Sequence, residues 1–129
     1  APAGISKGLY LAACCADRAL IVSTPDNVCV RCGSLTADKL LEIGISDIRL
    51  IINRFSRRPV MQRRLLNIDD VIDAAGVQLI GVVPEDPEVI YSLSNGERLS
   101  GKSFAREAFM KIAGRICGEN IPLDLSALP

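Results

Sequence analysis

Three short runs of apolar residues divide the chain and predict buried β-strands. They cover residues 19–23, 48–53 and 77–83, and each is rich in Ile, Val and Leu without strict alternation of polar and apolar side chains. Strands that are covered on both faces have this pattern, which is typical of parallel sheets.

Helical segments alternate with these runs. The clearest covers residues 104–116, where apolar side chains recur at spacings of one, three and four and form one wide stripe. They are Phe104, Ala105, Ala108, Phe109, Ile112, Ala113 and Ile116. The other predicted helices cover residues 5–16, 26–42 and 69–75. Strands that alternate with helices indicate the α/β class, with a parallel sheet, flanking helices and right-handed crossovers.

The segments between these elements carry weaker patterns. Residues 54–66 are predicted as a basic connection, residues 89–95 as a weak strand candidate, and residues 121–129 as an extended tail. The chain contains neither an internal repeat nor a low-complexity segment, so a single domain is expected.

Composition excludes several functional classes. The 129 residues suffice for one compact domain, and 15 Lys and Arg balance 15 Asp and Glu. With zero net charge and 4% aromatic residues, no nucleic-acid partner is expected. The absence of His removes His-based acid–base catalysis and the Ser-His-Asp triad.

Five cysteines are present: Cys14, Cys15, Cys29, Cys32 and Cys117. A lone C-x-x-C lacks the further ligands of a zinc site, although a redox role at a helix start is an alternative. The interpretation favoured here is a cytoplasmic protein with reduced thiols. We predict free thiols at Cys29 and Cys32 and no bound metal.

Polar residues follow each predicted strand. They occupy residues 23–26, 53–54 and 84–87. Ligands of open α/β sheets bind at the carboxyl ends of the strands, so these residues are candidates for a ligand rim. Ordinary turn chemistry is the alternative, since Asn, Asp and Pro also dominate turns.

Residues 96–103 fit the G-x-x-x-x-G-K-S expression of a phosphate-binding loop. That loop requires a buried strand directly before it, and residues 89–95 are a poor one. A surface loop leading into the last helix is favoured instead. The arginines of residues 54–64 are either a solvated face or a contact for phosphate, nucleic acid or an acidic partner.

Six segments, in order, resemble the MinD/ParA family of deviant-Walker ATPases. They are residues 2–5 (the D-x-P-A-G segment), 16–26 (a strand ending in Thr-Pro-Asp), 50–54 (Leu-Ile-Ile-Asn-Arg), 68–71, 79–86 (Leu-Ile-Gly-Val-Val-Pro-Glu-Asp) and 94–97. The resemblance implies that residues 1–122 form the C-terminal half of a SIMIBI-type P-loop NTPase domain and residues 123–129 an extended tail.

The resemblance also implies site residues. Asn53 would recognise the adenine edge beside Arg54, and Pro84, Glu85 and Asp86 would line the base. Pro2, Ala3 and Gly4 would belong to a switch loop. No catalytic residue and no metal ligand are expected in this chain.

A longer parent protein is implied as well. The family's phosphate loop and the acid before D-x-P-A-G belong to its N-terminal half, so the chain alone is expected not to hydrolyse ATP. The parent would bind ATP and Mg²⁺, form a homo-oligomer, contact cell-division regulators, and lie peripherally at the inner face of the cell membrane through a segment absent here. A non-enzymatic α/β interaction domain with a decayed ATPase half is the alternative.

The chain by itself is expected to self-associate. In the family fold a strand of the other half lies beside residues 19–23, so Ile21 and Val22 are predicted to be exposed here. Unpaired strand edges recruit other chains.

Overall fold

The computed structural model describes residues 7–62, 64–126 and 128–129. The helices are α1 (Lys7–Ala13), α2 (Asn27–Ile43), α3 (Arg57–Met61), α4 (Ile68–Ala75), α5 (Pro87–Asn95) and α6 (Phe104–Ile116). The strands are β1 (Arg18–Ser23), β2 (Asp47–Phe55) and β3 (Gln78–Pro84).

The three strands form one parallel sheet in the order β1-β2-β3. A larger apolar cluster includes Leu50, Ile52 and Val71, each fully buried. A smaller cluster joins β3 to α6 through Ile80 and Ile112. The α/β class, the parallel sheet and the flanking helices are therefore confirmed.

Residues 87–95 are helical, so the weak strand prediction there is wrong. The Asp86 side chain caps the first turn of α5, Pro87 fits the first helical position, and Gly96 ends the helix at φ +66°. These capping signals outweigh the β-branched residues. The basic connection also contains the short helix α3, which was not predicted.

The β2–β3 register contains two one-residue mismatches. Leu50 pairs with Leu79 and Ile51 with Gly81, which leaves Ile80 without a partner in β2. The Ile80 carbonyl instead accepts a hydrogen bond from Arg115 of α6 at 2.9 Å. The Arg115 side chain thus ties α6 to the backbone of β3 at this mismatch.

The described residues beyond α6, 117–126 and 128–129, have no helix or strand, and two arginines fix them to the domain. Arg115 donates to the carbonyls of Ile121 and Pro122, and Arg57 donates to those of Leu125 and Ser126. Charge-assisted bonds of this kind are stronger than neutral ones. The tail therefore packs against the core, with Leu125 among its contacts.

The prediction for the side chains of β1 is half wrong. Ile21 is buried, because it packs against Gly33 of α2, where an added Cβ would lie 3.3 Å from the Ile21 side chain. Val22 is 60% exposed and Leu20 is 40% exposed. Successive strand residues point to opposite faces, so one face of β1 is covered and the other is open.

Gly81 is where α6 packs directly on β3, and Gly81→Ala should destabilise the fold. A methyl group there would overlap the Ile112 side chain, and overpacking of this kind costs about 1–3 kcal/mol in the free energy of unfolding. Urea denaturation followed by circular dichroism measures the loss.

Gly101→Ala is the matched control, because the nearest atom to its added Cβ, on Arg106, is 4.0 Å away. In an Ile112→Ala background, Gly81→Ala should lower the free energy of unfolding much less, because the overlapping atoms of Ile112 are absent. Equal losses in both backgrounds would contradict this packing.

Candidate functional site

The carboxyl ends of β2 and β3 meet at one edge of the sheet. Phe55 pairs with Pro84, and the Glu85 N–H donates to the Phe55 carbonyl at 2.8 Å. This pairing places Asn53 and Arg54 at the same end of the sheet as Pro84 and Glu85. The structure therefore brings together residues that lie about thirty positions apart in the chain.

A bulge in β2 shapes this edge. Ile52 pairs with Val82 and Phe55 with Pro84, so Asn53 and Arg54 together oppose the single residue Val83. Such a bulge bends the strand and redirects its side chains. The predicted strand end at Asn53 is thus a bulge, and β2 continues to Phe55.

Arg54 adopts a left-handed backbone conformation with φ +55°, and it is the one non-glycine residue with positive φ in the described parts of the chain. For a residue with a Cβ this costs about 1–2 kcal/mol. Strain of this kind persists only where surrounding structure enforces it. Here the enforcing contact is the Phe55–Glu85 pairing immediately after the bulge.

The Arg54 side chain reaches Glu85, and the two form an ion pair of 3.0 Å. The side chains are 68% and 50% exposed. An ion pair in water contributes less than about 1 kcal/mol, so it does not offset the strain at Arg54. Sequence reasoning missed both features, because an Asn-Arg pair carries no local signal for a left-handed residue.

Asn53 lies at the first position of the bulge. The residue is half-buried, and none of the side-chain hydrogen bonds between described residues involves it. Pro84 is buried and pairs with Phe55 at the same edge. An amide that both donates and accepts at a strand end is chemically suited to the edge of a heterocyclic base.

The Asp86 carboxylate, by contrast, is committed to structure. It accepts hydrogen bonds from the Glu88 N–H, the Ser103 hydroxyl at 2.7 Å and the Ala105 N–H. The Ser103 bond comes first among the causes that hold the pKa of Asp86 below its ordinary value. The carboxylate therefore joins the first turns of α5 and α6, and only its backbone remains for a ligand.

At the end of β1, the polar residues stabilise the turn into α2. Asp26 caps α2 by accepting from the Cys29 N–H, and it also accepts from the Thr24 hydroxyl. These bonds lower the pKa of Asp26, with the Thr24 bond the largest cause. The proposed switch-loop residues Pro2, Ala3 and Gly4 lie outside the described residues.

Residues 96–103 follow helix α5, not a strand, so the structural context of a phosphate loop is missing there. Within the segment, the Ser100 N–H and hydroxyl both donate to Glu88. The segment is a loop that connects α5 to α6, in agreement with the favoured interpretation.

The remaining candidates take no part in this edge. Arg57 of the basic segment holds the tail, and all five cysteines are free and exposed. Among the described residues, no cluster of three or more potential metal ligands is found. None of the described helices is long and apolar enough to cross a membrane.

Replacing Asp86 with Ala should destabilise the fold by about 1–3 kcal/mol at neutral pH. The change removes a helix cap and leaves the Ser103 hydroxyl without its acceptor. Because the folded-state pKa lies below the unfolded one, this contribution is present above the unfolded pKa and is lost as pH falls through the folded pKa.

The difference between native chain and variant should therefore shrink at acid pH, as urea denaturation at a series of pH values will show. Asp73→Ala is the control, since Asp73 is exposed and lies on a helix away from this edge. A difference that stays constant as the carboxylate protonates would show that the charge of Asp86 has no part in it.

Comparison with known proteins gives the family context of the chain. The chain is similar to the septum site-determining protein MinD of Synechocystis, with 36% identity over 130 residues that cover 98% of the chain and 49% of that protein. The chain spans about half the length of the curated relatives it matches. No family model matches it.

Solved structures agree with this likeness. The chain is similar to MinD of Aquifex aeolicus, with a TM-score of 0.89 and 32% identity over 96% of this chain and 53% of that one. A MinC:MinD complex from the same organism matches with a TM-score of 0.88 and 32% identity, over 94% of this chain and 51% of that one.

MinD from Pyrococcus horikoshii, complexed with Mg-ADP, shares the fold at a TM-score of 0.78 and 24% identity, over 93% of this chain and 51% of that one. The three-stranded parallel sheet and its flanking helices are thus those of MinD P-loop NTPases. In sequence and in fold, the chain corresponds to the C-terminal part of the MinD family.

Proposed function

We propose that this chain forms the adenine-side wall of an ATP-binding, MinD-like protein that acts in placing the cell-division site. The observation that carries the proposal is the Asn53 amide, which lies at a strained bulge and makes no side-chain hydrogen bond to another described residue. Ligands of open α/β sheets bind at this end of the strands.

The chemistry of the edge fits a purine base. One Asn amide supplies both a donor and an acceptor, which matches the exocyclic amine and neighbouring ring nitrogen of adenine. The backbone of Pro84, Glu85 and Asp86 would line the other side of the base. The Glu85 N–H already donates to the Phe55 carbonyl, so it would hold the wall in place and would not bond to the base.

The rest of the nucleotide would be held elsewhere in a longer protein. By the resemblance, the phosphate loop and the Mg²⁺-side acid belong to the N-terminal half of the family, and Pro2, Ala3 and Gly4 would join the switch loop next to them. ATP and Mg²⁺ are therefore cofactors of the parent, and this chain contributes no catalytic group.

Adenosine is the direct probe of the wall. Titrated into the ¹⁵N-labelled chain, it should shift the amide resonances of Asn53, Glu85 and Asp86. Asn53→Asp keeps the shape of the side chain but loses the N–H donors, and should weaken adenosine binding roughly tenfold, the equivalent of about one hydrogen bond.

Purine riboside, which lacks the exocyclic amine of adenosine, should bind the native chain about as weakly as adenosine binds the variant. Asn95→Asp, at the exposed end of α5, is the matched control and should change nothing. Shifts that cluster away from the β2–β3 edge would reject the wall and favour the non-enzymatic interaction domain.

Partners follow from the same resemblance. A MinC:MinD complex is known for a similar protein, so a cell-division regulator is the proposed partner of the parent. The proposed location is the cytoplasm, with the parent peripheral at the inner face of the cell membrane.

A second copy of the chain is the proposed partner of β1. Within the described residues β1 pairs with β2 alone, and Leu20 and Val22 extend this edge with exposed apolar surface. The relatives are about twice as long, and by the resemblance a strand of their other half would lie beside β1. In the 129-residue chain by itself, a second copy would satisfy the unpaired backbone.

Sedimentation velocity at micromolar concentration should therefore show a dimer or larger species. Val22→Lys should shift the distribution towards monomer, because a charge on the exposed face of an edge strand blocks pairing. Leu93→Lys is the control: Leu93 is 77% exposed but lies on α5. A native chain that stays monomeric throughout would exclude self-association through this edge.

A further inference from the structure

Two adjacent thiols lie exposed at the end of α1. Cys14 and Cys15 form the turn that leads from α1 into β1, and their sulfur atoms are 3.7 Å apart. The turn precedes the amino end of β1, whereas the adenine-side wall lies at the carboxyl ends of β2 and β3. The pair is therefore separate from the proposed nucleotide site.

The backbone of this turn is held in place. The Cys14 N–H donates to the Tyr10 carbonyl at 2.9 Å, and the Ala16 N–H donates to the Ala13 carbonyl at 2.9 Å. The Cys14 thiol also donates to the Leu11 carbonyl at 3.3 Å. Both sulfur atoms are thus presented together on the same short turn.

The donor set restricts the ligand. Zinc in a structural site takes four protein ligands, and among the described residues no group of three or more metal-ligating side chains occurs. Two sulfurs alone suit a soft centre that needs only two thiolates. A bound atom with pyramidal geometry holds two sulfur ligands at roughly a right angle. Such an atom can therefore bridge two sulfur atoms that already lie in contact.

We propose that Cys14 and Cys15 form a two-sulfur binding site for a trivalent organoarsenical. In the reaction, two As–O bonds of the hydrated arsenical break and two As–S bonds form. The two thiol protons leave with the two hydroxyl groups as water. No electrons are transferred, so the reaction needs neither oxidant nor reductant.

Cys29 and Cys32 are the competing pair. They lie three residues apart on α2, and both are exposed. Among the described residues, no sulfur–sulfur contact joins them, unlike Cys14 and Cys15. The folded chain should therefore bind the arsenical at the turn rather than at the helix, although each pair offers two thiols.

Phenylarsine oxide is the probe, added to the reduced native chain in the presence of an equimolar monothiol and followed by intact-protein mass spectrometry. The native chain should retain one phenylarsenic group, with the loss of two thiol hydrogens. Cys14→Ser and Cys15→Ser should each weaken retention at least about tenfold. The Cys29→Ser/Cys32→Ser double variant should retain the group as the native chain does.

The role of the fold is tested by repeating the measurement in urea, where the unfolded Cys14→Ser chain should capture the arsenical through Cys29 and Cys32. Circular dichroism checks that each variant is folded in the absence of urea. If folded Cys14→Ser keeps the adduct, or if the double variant loses it, the site is not at Cys14 and Cys15.

Discussion

The parallel pairing of β2 with β3 is the constraint on which the candidate site depends. The two strands run side by side but differ by one residue at each of two positions, and the second mismatch falls at Asn53 and Arg54. Because Phe55 must still pair with Pro84, the extra residue is accommodated by turning Arg54 into a left-handed conformation. The sheet thus holds Asn53 at its edge.

The first mismatch has a different consequence. The carbonyl of Ile80, the residue at this mismatch, accepts a hydrogen bond from Arg115, and the same guanidinium group binds two carbonyls of the tail. Gly81, the next residue, lets α6 approach β3 closely. One irregularity in the sheet therefore fixes the last helix and the tail, while the other shapes the edge.

Much of the fold could be predicted from the sequence, because its signals are local. Apolar runs marked the three strands, and Asn67 and Gly76 cap α4 as their residue types predict. Helix α5 was missed because its Val, Ile and Tyr favour strands and because only Ser92 of the helix is buried. The residues before it, Asp86 and Pro87, did carry the signal of a helix start. Ile21 was misjudged because its burial depends on α2.

The candidate site was less predictable. The positions of Asn53, Pro84 and Glu85 came from a family resemblance and from the rule for strand ends, and their juxtaposition follows from the pairing. The bulge arises from the pairing register between β2 and β3, which are distant in the chain, so no pattern within residues 50–56 predicts it. The bond between Asp86 and Ser103 likewise spans seventeen residues.

The left-handed conformation of Arg54 is tested most directly by comparing Arg54→Gly with Arg54→Ala in equilibrium urea denaturation. Both variants lose the ion pair with Glu85, so the comparison isolates the backbone. If pairing forces a positive φ, Gly should be the more stable variant by about 1 kcal/mol, because only Gly adopts this conformation without strain. If Arg54 were in ordinary strand conformation, Ala would be the more stable variant, and the account of the bulge would be wrong.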